Sequence, residues 1–280
     1  MRLRIDLAYD GRDFHGWARQ DALRTVQGDL ETALETALRI PEVSVTCAGR
    51  TDTGVHARGQ VTHVDVAAEV VEAAAGRSDE GPVPTLRRRL NGLLPADVRV
   101  RRVVEAPDGF DARFSALWRR YAYRIADSAE AADPLTRGYV LAWRRPLDVV
   151  AMNEASALLL GRHDFASFCK QREGATTIRT LLDLDWERDD AGVLVAGVRA
   201  DAFCHHMVRS LVGCLVAVGE GRRDASWVND VLAAAERDPT VKVAPPHGLT
   251  LEEVSYPPDA DLAAQAEAAR SVRTLEDAPT

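Results

Sequence analysis

Between Cys47 and Val61 the chain reads CAGRTDTGVHARGQV, a single carboxylate, Asp52, with Arg50, His56 and Arg58 around it. Asp-Thr-Gly is the core of an aspartic protease site, which needs two aspartates sharing one proton. The chain has no second Asp-Thr-Gly or Asp-Ser-Gly. A neighbouring arginine also keeps a carboxylate ionised and spoils proton sharing, so that reading is set aside. An ionised carboxylate beside an anomeric carbon can instead attack it, or stabilise oxocarbenium charge as a glycosidic bond breaks. A plain surface turn is the third reading, since Asp and Gly both favour turns. The loop alone does not choose between the last two.

A second group of candidate ligands lies in FCHHMVR, residues 203–209, with Cys204, His205 and His206 in succession. Adjacent residues on a helix point about 100° apart, so the three do not converge on one ion. No metal is expected there. His205 and His206 are expected to contact a ligand phosphate or to cap a helix. Arg209 sits on an apolar helix pattern, where an unpaired charge is expensive, so a carboxylate partner is expected; Asp52, Asp201 and Glu220 are the candidates.

These residues need elements to hold them. Alternating Leu3, Ile5 and Leu7 predict a strand over 2–9. TVQGDLETALETAL predicts a helix with Thr25 as N-cap and Val26, Leu30, Ala33, Leu34, Ala37 and Leu38 as its apolar stripe. Strands predicted at 43–47 and 60–66 place the Asp52 loop between two strands. Residues 67–84 are small, acidic and Gly/Pro-bearing and read as an exposed loop. A helix is expected from Thr85 to before Pro95, with strands near 98–104 and 117–125. The pattern then restarts: a helix over 148–160 capped by Asp148, strands at 181–187 and 193–200, an apolar helix over 205–218, a helix from Ser226 and a strand at 249–255. Two α+β halves are expected, residues 1–106 and 107–257, followed by an acidic and mobile tail, 258–280.

Composition bounds the partner. The 280 residues carry a formal net charge of −8, yet its distribution is uneven. Arg87 to Arg124 hold ten arginines against four acids, whereas the segment from Glu252 onward is acidic. Phosphate binding follows the local field, so a polyanionic partner stays open. No run approaches the ~20 apolar residues of a membrane helix, and the N-terminus lacks a signal-peptide core. The four cysteines show no CxxC spacing, and reduced thiols in a cytoplasmic protein are expected.

The loop together with YDGRDFHGWARQ, TVQGDLETAL, LNGLLPADVRV, FDARFSALWRRYAYRI, GRHDFASF, FCHHMVRSLVGCLVAVGEGR and GLTLEEVSYP resembles the tRNA pseudouridine synthases of the TruA family. These blocks lie in order from residue 9 to 257. The resemblance implies a pseudouridine synthase fold, α+β, with two halves sharing a mixed, largely antiparallel sheet flanked by helices. It implies an isomerase that converts uridine to pseudouridine at nucleotides 38, 39 and 40 of the tRNA anticodon stem-loop, without a cofactor, as a homodimer. By motif, Asp52 matches the catalytic aspartate and Arg209 the basic residue paired with it. Tyr121 matches the tyrosine that stacks on the target base, and Leu249 the apolar residue under the pocket. Arg50 and Arg58 match positions near the flipped nucleotide and its backbone. Two residues depart from the pattern: Ala18 stands where the family has glutamine, and Cys204 where an aliphatic residue is common. A non-catalytic tRNA-binding protein on the same fold is the alternative, although a carboxylate in a polyanion site favours chemistry.

Overall fold

The computed structural model of the protein describes residues 1–76, 78–170, 176–271 and 274–275. The first elements are β1 (Arg2–Tyr9), α1 (Val26–Leu38), β2 (Thr46–Cys47), β3 (His56–Asp65), α2 (Ala68–Ala75), α3 (Pro82–Leu93) and β4 (Val98–Glu105). Next come β5 (Trp118–Ala126), β6 (Leu141–Ala142), α4 (Val149–Ala157), β7 (Gly161–Asp164), β8 (Ile178–Arg188) and β9 (Leu194–Ala200). The chain closes with α5 (Met207–Gly219), α6 (Ala225–Ala234), β10 (Leu249–Ser255) and α7 (Leu262–Arg270). The class is α+β. Two compact units divide it: residues 1–117 with 251–270, and residues 118–250 with the few described residues after 270.

In the first unit the strand order is β4-β1-β3-β10, with β2 on β3. β1 runs antiparallel to both neighbours, Ile5 facing Thr62 on β3 and Val103 on β4. Its alternation buries Leu3, Ile5, Leu7 and Tyr9, as a half-buried strand must. Helix α3 packs on β4 and on α1, and Leu30, Leu34, Leu86 and Leu90 of the two helices are fully buried. Thr25 caps α1 by accepting from the Gly28 N–H at 3.2 Å, which satisfies one of the donors a helix start leaves open.

Much of the segment expected as a loop is helical instead. Ala68–Ala75 form α2, and α3 starts at Pro82, which occupies the first helical position and gives up an N–H that had no partner there anyway. The small residues read as a loop are helix formers: Val71 and Ala74 are buried, while Glu69 lies in the first turn of α2.

The carboxyl-terminal segment also differs from expectation. β10 neighbours β3, and a Cβ on Gly59 would stand 2.3 Å from the Glu252 carbonyl oxygen. Only glycine permits that approach. After β10, α7 buries Leu262 and Ala266; Ser115 Oγ donates to the Leu262 carbonyl at 3.1 Å, and Tyr256 OH to the Ala112 carbonyl at 2.7 Å. Residues 259–270 are thus helical, with Leu262 and Ala266 packed, within the segment expected as an acidic tail. Residues 272–273 and 276–280 lie outside the described part.

His63, on β3, is a buried neutral histidine. Its Nδ1 accepts the Ala112 N–H at 3.0 Å, and burial, with help from the Arg2 charge, holds its pKa below the ordinary value. As pH falls below about 6.5 the unfolded chain therefore takes up this proton first. The stabilisation is complete above that pH and is lost as pH falls toward the depressed folded value. The expected result is a denaturation midpoint that drops as pH falls below about 6.5 in the wild type. His63→Asn keeps an acceptor near the Nδ1 position and is expected to lack that part of the drop. Parallel pH curves for the two proteins would exclude His63 as the source.

In the second unit the order is β5-β9-β8-β7, with β6 parallel to β5. The other pairings in this order are antiparallel, Tyr121 facing Val198. Asp148 caps α4, accepting from Val150 and Ala151. Helix α5 is buried along nearly its whole length, Arg209 and Gly213 excepted. At Gly213 a Cβ would stand 1.7 Å from the Lys242 carbonyl oxygen, so the 242–244 backbone lies directly on the helix. The buried Asp127 carboxylate binds Arg188 twice at 2.7 Å and accepts the Leu147 N–H at 2.8 Å. The Arg188 hydrogen bonds hold its carboxyl below the usual range, so this charge is compensated and structural.

Candidate active site

The Asp52 loop is a built turn. Asp52 is the first residue of a four-residue turn closed by Val55 N–H donating to the Asp52 carbonyl at 3.1 Å. Gly54, at the third position, has φ 78°, which non-glycine residues adopt only with strain. Behind the turn runs the 10–17 segment. Trp17 N–H donates to the Thr51 carbonyl at 3.0 Å, and Gly54 N–H to the Phe14 carbonyl at 3.3 Å. Gly16 has φ 90°, and a Cβ there would lie 2.9 Å from the Thr51 carbonyl oxygen. Phe14 and Trp17 are buried beneath the loop. Asp52 itself is half-buried between the buried Thr51 and the exposed Thr53. A surface turn needs no such backing; this one is held from one side with its carboxylate residue at the rim.

The cationic neighbours separate by role. Arg50 and Arg58 are exposed, and Arg58 Nε lies 3.5 Å from Glu252, a mostly buried acid. His56 is 6% exposed and accepts the Gly11 N–H on Nδ1 at 3.0 Å. That bond makes it a strut of the 10–17 segment. Asp10 Oδ1 lies 3.2 Å from the same nitrogen, and Nδ1 does not donate to it while it accepts the Gly11 N–H. Arg12 clamps Asp10 from the other side at 2.5 Å.

The remaining candidates lie in the second unit. Tyr121 on β5 is buried, its ring edge-on to Phe203 at 5.1 Å. Beside it in sequence, Tyr123 is fully buried and donates to the Pro245 carbonyl at 2.8 Å; burial pushes its phenol above the usual range. Gly248 lies on the Tyr123 ring, where a Cβ would meet it at 2.8 Å. This fixes the start of β10, where Leu249 is buried. Arg209 is half-buried. Its Nε donates to the Ala244 carbonyl at 2.7 Å, and the Ala244 N–H returns to the Arg209 carbonyl at 2.9 Å. Of the acids considered as its structural partners, Asp201 Oδ1 accepts the Thr180 and Ala202 N–H groups. Glu220 accepts from the Trp143 indole at 3.1 Å and from Arg222.

His206 is the N-cap of α5 with φ 70°, and its side chain makes no capping bond; the rings of His205 and His206 lie 4.1 Å apart. His206 thus holds the cap position of α5 without a capping bond from its side chain. Lys170 N–H donates to the His205 carbonyl at 2.8 Å. Cys204 is joined to Cys169 in a disulfide, Cα–Cα 5.8 Å across 35 residues. The expectation of four reduced thiols is thus replaced by one bonded pair and two buried thiols, Cys47 and Cys214. Burial pushes both thiols up to about 12, which makes them unreactive. Sequence spacing gave no sign of the pair, because the partners come from segments brought together only by folding. Thiol titration of the denatured, unreduced protein is expected to count the two thiols of Cys47 and Cys214, and all four cysteines after reduction. The bond closes a loop worth roughly 3–4 kcal/mol in chain entropy, so reduction lowers the melting temperature. Four thiols before reduction would remove the bond from the account.

A half-buried carboxylate on a backed turn with exposed arginines beside it suits a charged polymer. Comparison with known proteins gives that description a class. Residues 155–257 match the family model for tRNA pseudouridine synthase. Over its length the chain is 61% identical to tRNA pseudouridine synthase A of Streptomyces griseus, covering 98% of this chain and 95% of the relative. It is 58% identical to that of Frankia casuarinae (98% and 96% covered) and 50% identical to that of Mycobacterium leprae (98% and 96%). The chain belongs to the TruA family of tRNA pseudouridine synthases.

Proposed function

We propose that this protein isomerises uridine to pseudouridine in tRNA, at nucleotides 38, 39 and 40 of the anticodon stem-loop. The 61% identity to tRNA pseudouridine synthase A over 98% of the chain carries this reading. Asp52 is the essential carboxylate: it attacks C1′ or stabilises its developing charge while the bond to N1 breaks. The freed uracil rotates and rejoins through C5; C5 gives up its proton and N1 ends with one, so no electrons or groups enter or leave. Tyr121 stacks on the detached base and Leu249 walls it, which keeps the base from escaping. Arg209 pairs with Asp52. Extruding a base from a stem costs roughly a few kcal/mol, and Arg50, Arg58, His205 and His206 offset this on the phosphates. The enzyme acts as a cytoplasmic homodimer. A purely binding role is disfavoured, because an aspartate among these arginines weakens phosphate binding.

The test is to incubate the protein with unmodified tRNA transcript carrying uridines at 38–40, then map pseudouridine by carbodiimide adduct and primer extension. Stops at those nucleotides are expected. Tight tRNA binding without stops would favour the binding role instead.

A further inference from the structure

Three polar side chains converge behind the Asp52 turn. Gln60, fully buried on β3, donates from Nε2 to the Gly49 carbonyl at 2.8 Å and to the Tyr9 hydroxyl at 3.2 Å. The Gly49 oxygen can only accept, which fixes the orientation of the Gln60 amide. Tyr9, 4% exposed on β1, shares a 2.8 Å hydrogen bond between its OH and Thr51 Oγ1. The chain therefore grips the loop on both sides of Arg50: at the carbonyl of Gly49 and at the side chain of Thr51. With Trp17 on the Thr51 carbonyl, the residue before Asp52 is held at its main chain and at its side chain. Apolar residues of the same size would fill this core at lower desolvation cost. What the polar trio adds is a fixed direction for the peptide leading into Asp52. A carboxylate acting on C1′ tolerates only about 0.5 Å of misplacement, and losing such registry costs rate more than binding.

We propose that Gln60 and Tyr9 are positioning residues for the reaction, acting through Thr51 to set the aim of Asp52. This rests on the reading of Asp52 given above. The test measures kcat and KM for unmodified tRNA, together with melting temperature. Tyr9→Phe removes one oxygen and is expected to lower kcat about tenfold with KM and melting temperature near wild type. Thr51→Val is expected to lower kcat by a similar factor, and the double variant no further, since both cut one chain. Thr51→Ser retains the hydroxyl and is expected to restore kcat. Gln60→Met is expected to fall with the Tyr9 variant.

Wild-type kcat in Tyr9→Phe would overturn the proposal. So would losses that add in the double variant, or that track falling melting temperature and rising KM, as a structural role predicts. Asp52→Asn is run alongside. If it is inactive while Tyr9→Phe is fully active, only the positioning role fails. If Asp52→Asn itself turns over normally, the reading of Asp52 fails.

Discussion

Asp52→Asn is expected to reduce pseudouridine formation by about 10⁴-fold or more, the scale of losing a residue central to bond cleavage. Asparagine keeps the size and turn preference of the residue it replaces, and the turn is closed by backbone bonds, so the fold is expected to survive. Removing a negative charge from a polyanion site leaves tRNA affinity unchanged or raises it. Release of tritium from C5-labelled uridine in tRNA, under single turnover, measures the step directly, because C5 gives up its hydrogen in the isomerisation. Loss of release with retained binding separates chemistry from recognition. Undiminished release would transfer the role to another group.

Gly213→Ala is expected to lower stability by roughly 2–3 kcal/mol, or about 5–10 °C in melting temperature. Two effects oppose. Alanine gains about 1 kcal/mol over glycine in a helix interior. Against that, its Cβ would come to 1.7 Å from the Lys242 carbonyl oxygen, a backbone atom that cannot swing away as a side-chain tip does. The clash wins. Relief requires the 242–244 segment to lift off α5, and Ala244 in that segment binds Arg209 through both its carbonyl and its N–H. Activity is therefore expected to fall further than the fraction of folded protein does at the assay temperature. A melting temperature equal to wild type would show that the segment moves freely.

Strand β1 and helices α1 and α4 were legible because their signals are local. The alternation of Leu3, Ile5 and Leu7, the Thr25 cap and the Asp148 cap all stand where the sequence pattern places them. The turn residue Gly54 announces itself by type. Three things were not legible, each for a physical reason. Helix α2 was hidden because its alanines pack without the large apolar stripe that betrays a surface helix. Helix α7 showed only a weak helical tendency in the sequence: Leu262 and Ala266 are buried within an acidic stretch, and its docking site on residues 109–116 is remote in sequence. The Gln60–Tyr9–Thr51 chain was invisible because a glutamine on a strand reads as one more polar alternation until the strand is seen to face a loop. The family resemblance supplied roles for Tyr121, Arg209 and Leu249 that no local pattern carries.

The two units differ in how the ribosome delivers them. Residues 118–250 are contiguous, whereas the first unit takes its β10 and α7 from residues 251–270. When residue 117 leaves the exit tunnel, Gly59 has no Glu252 backbone to meet, and the 109–116 segment has no α7 to cover it. The second unit can close while the first waits with an incomplete sheet, the reverse of the usual amino-terminal-first order. Any premature stop after residue 117 and before 251 thus strands the half that carries Asp52 with an unpaired strand edge, a template for association with other chains.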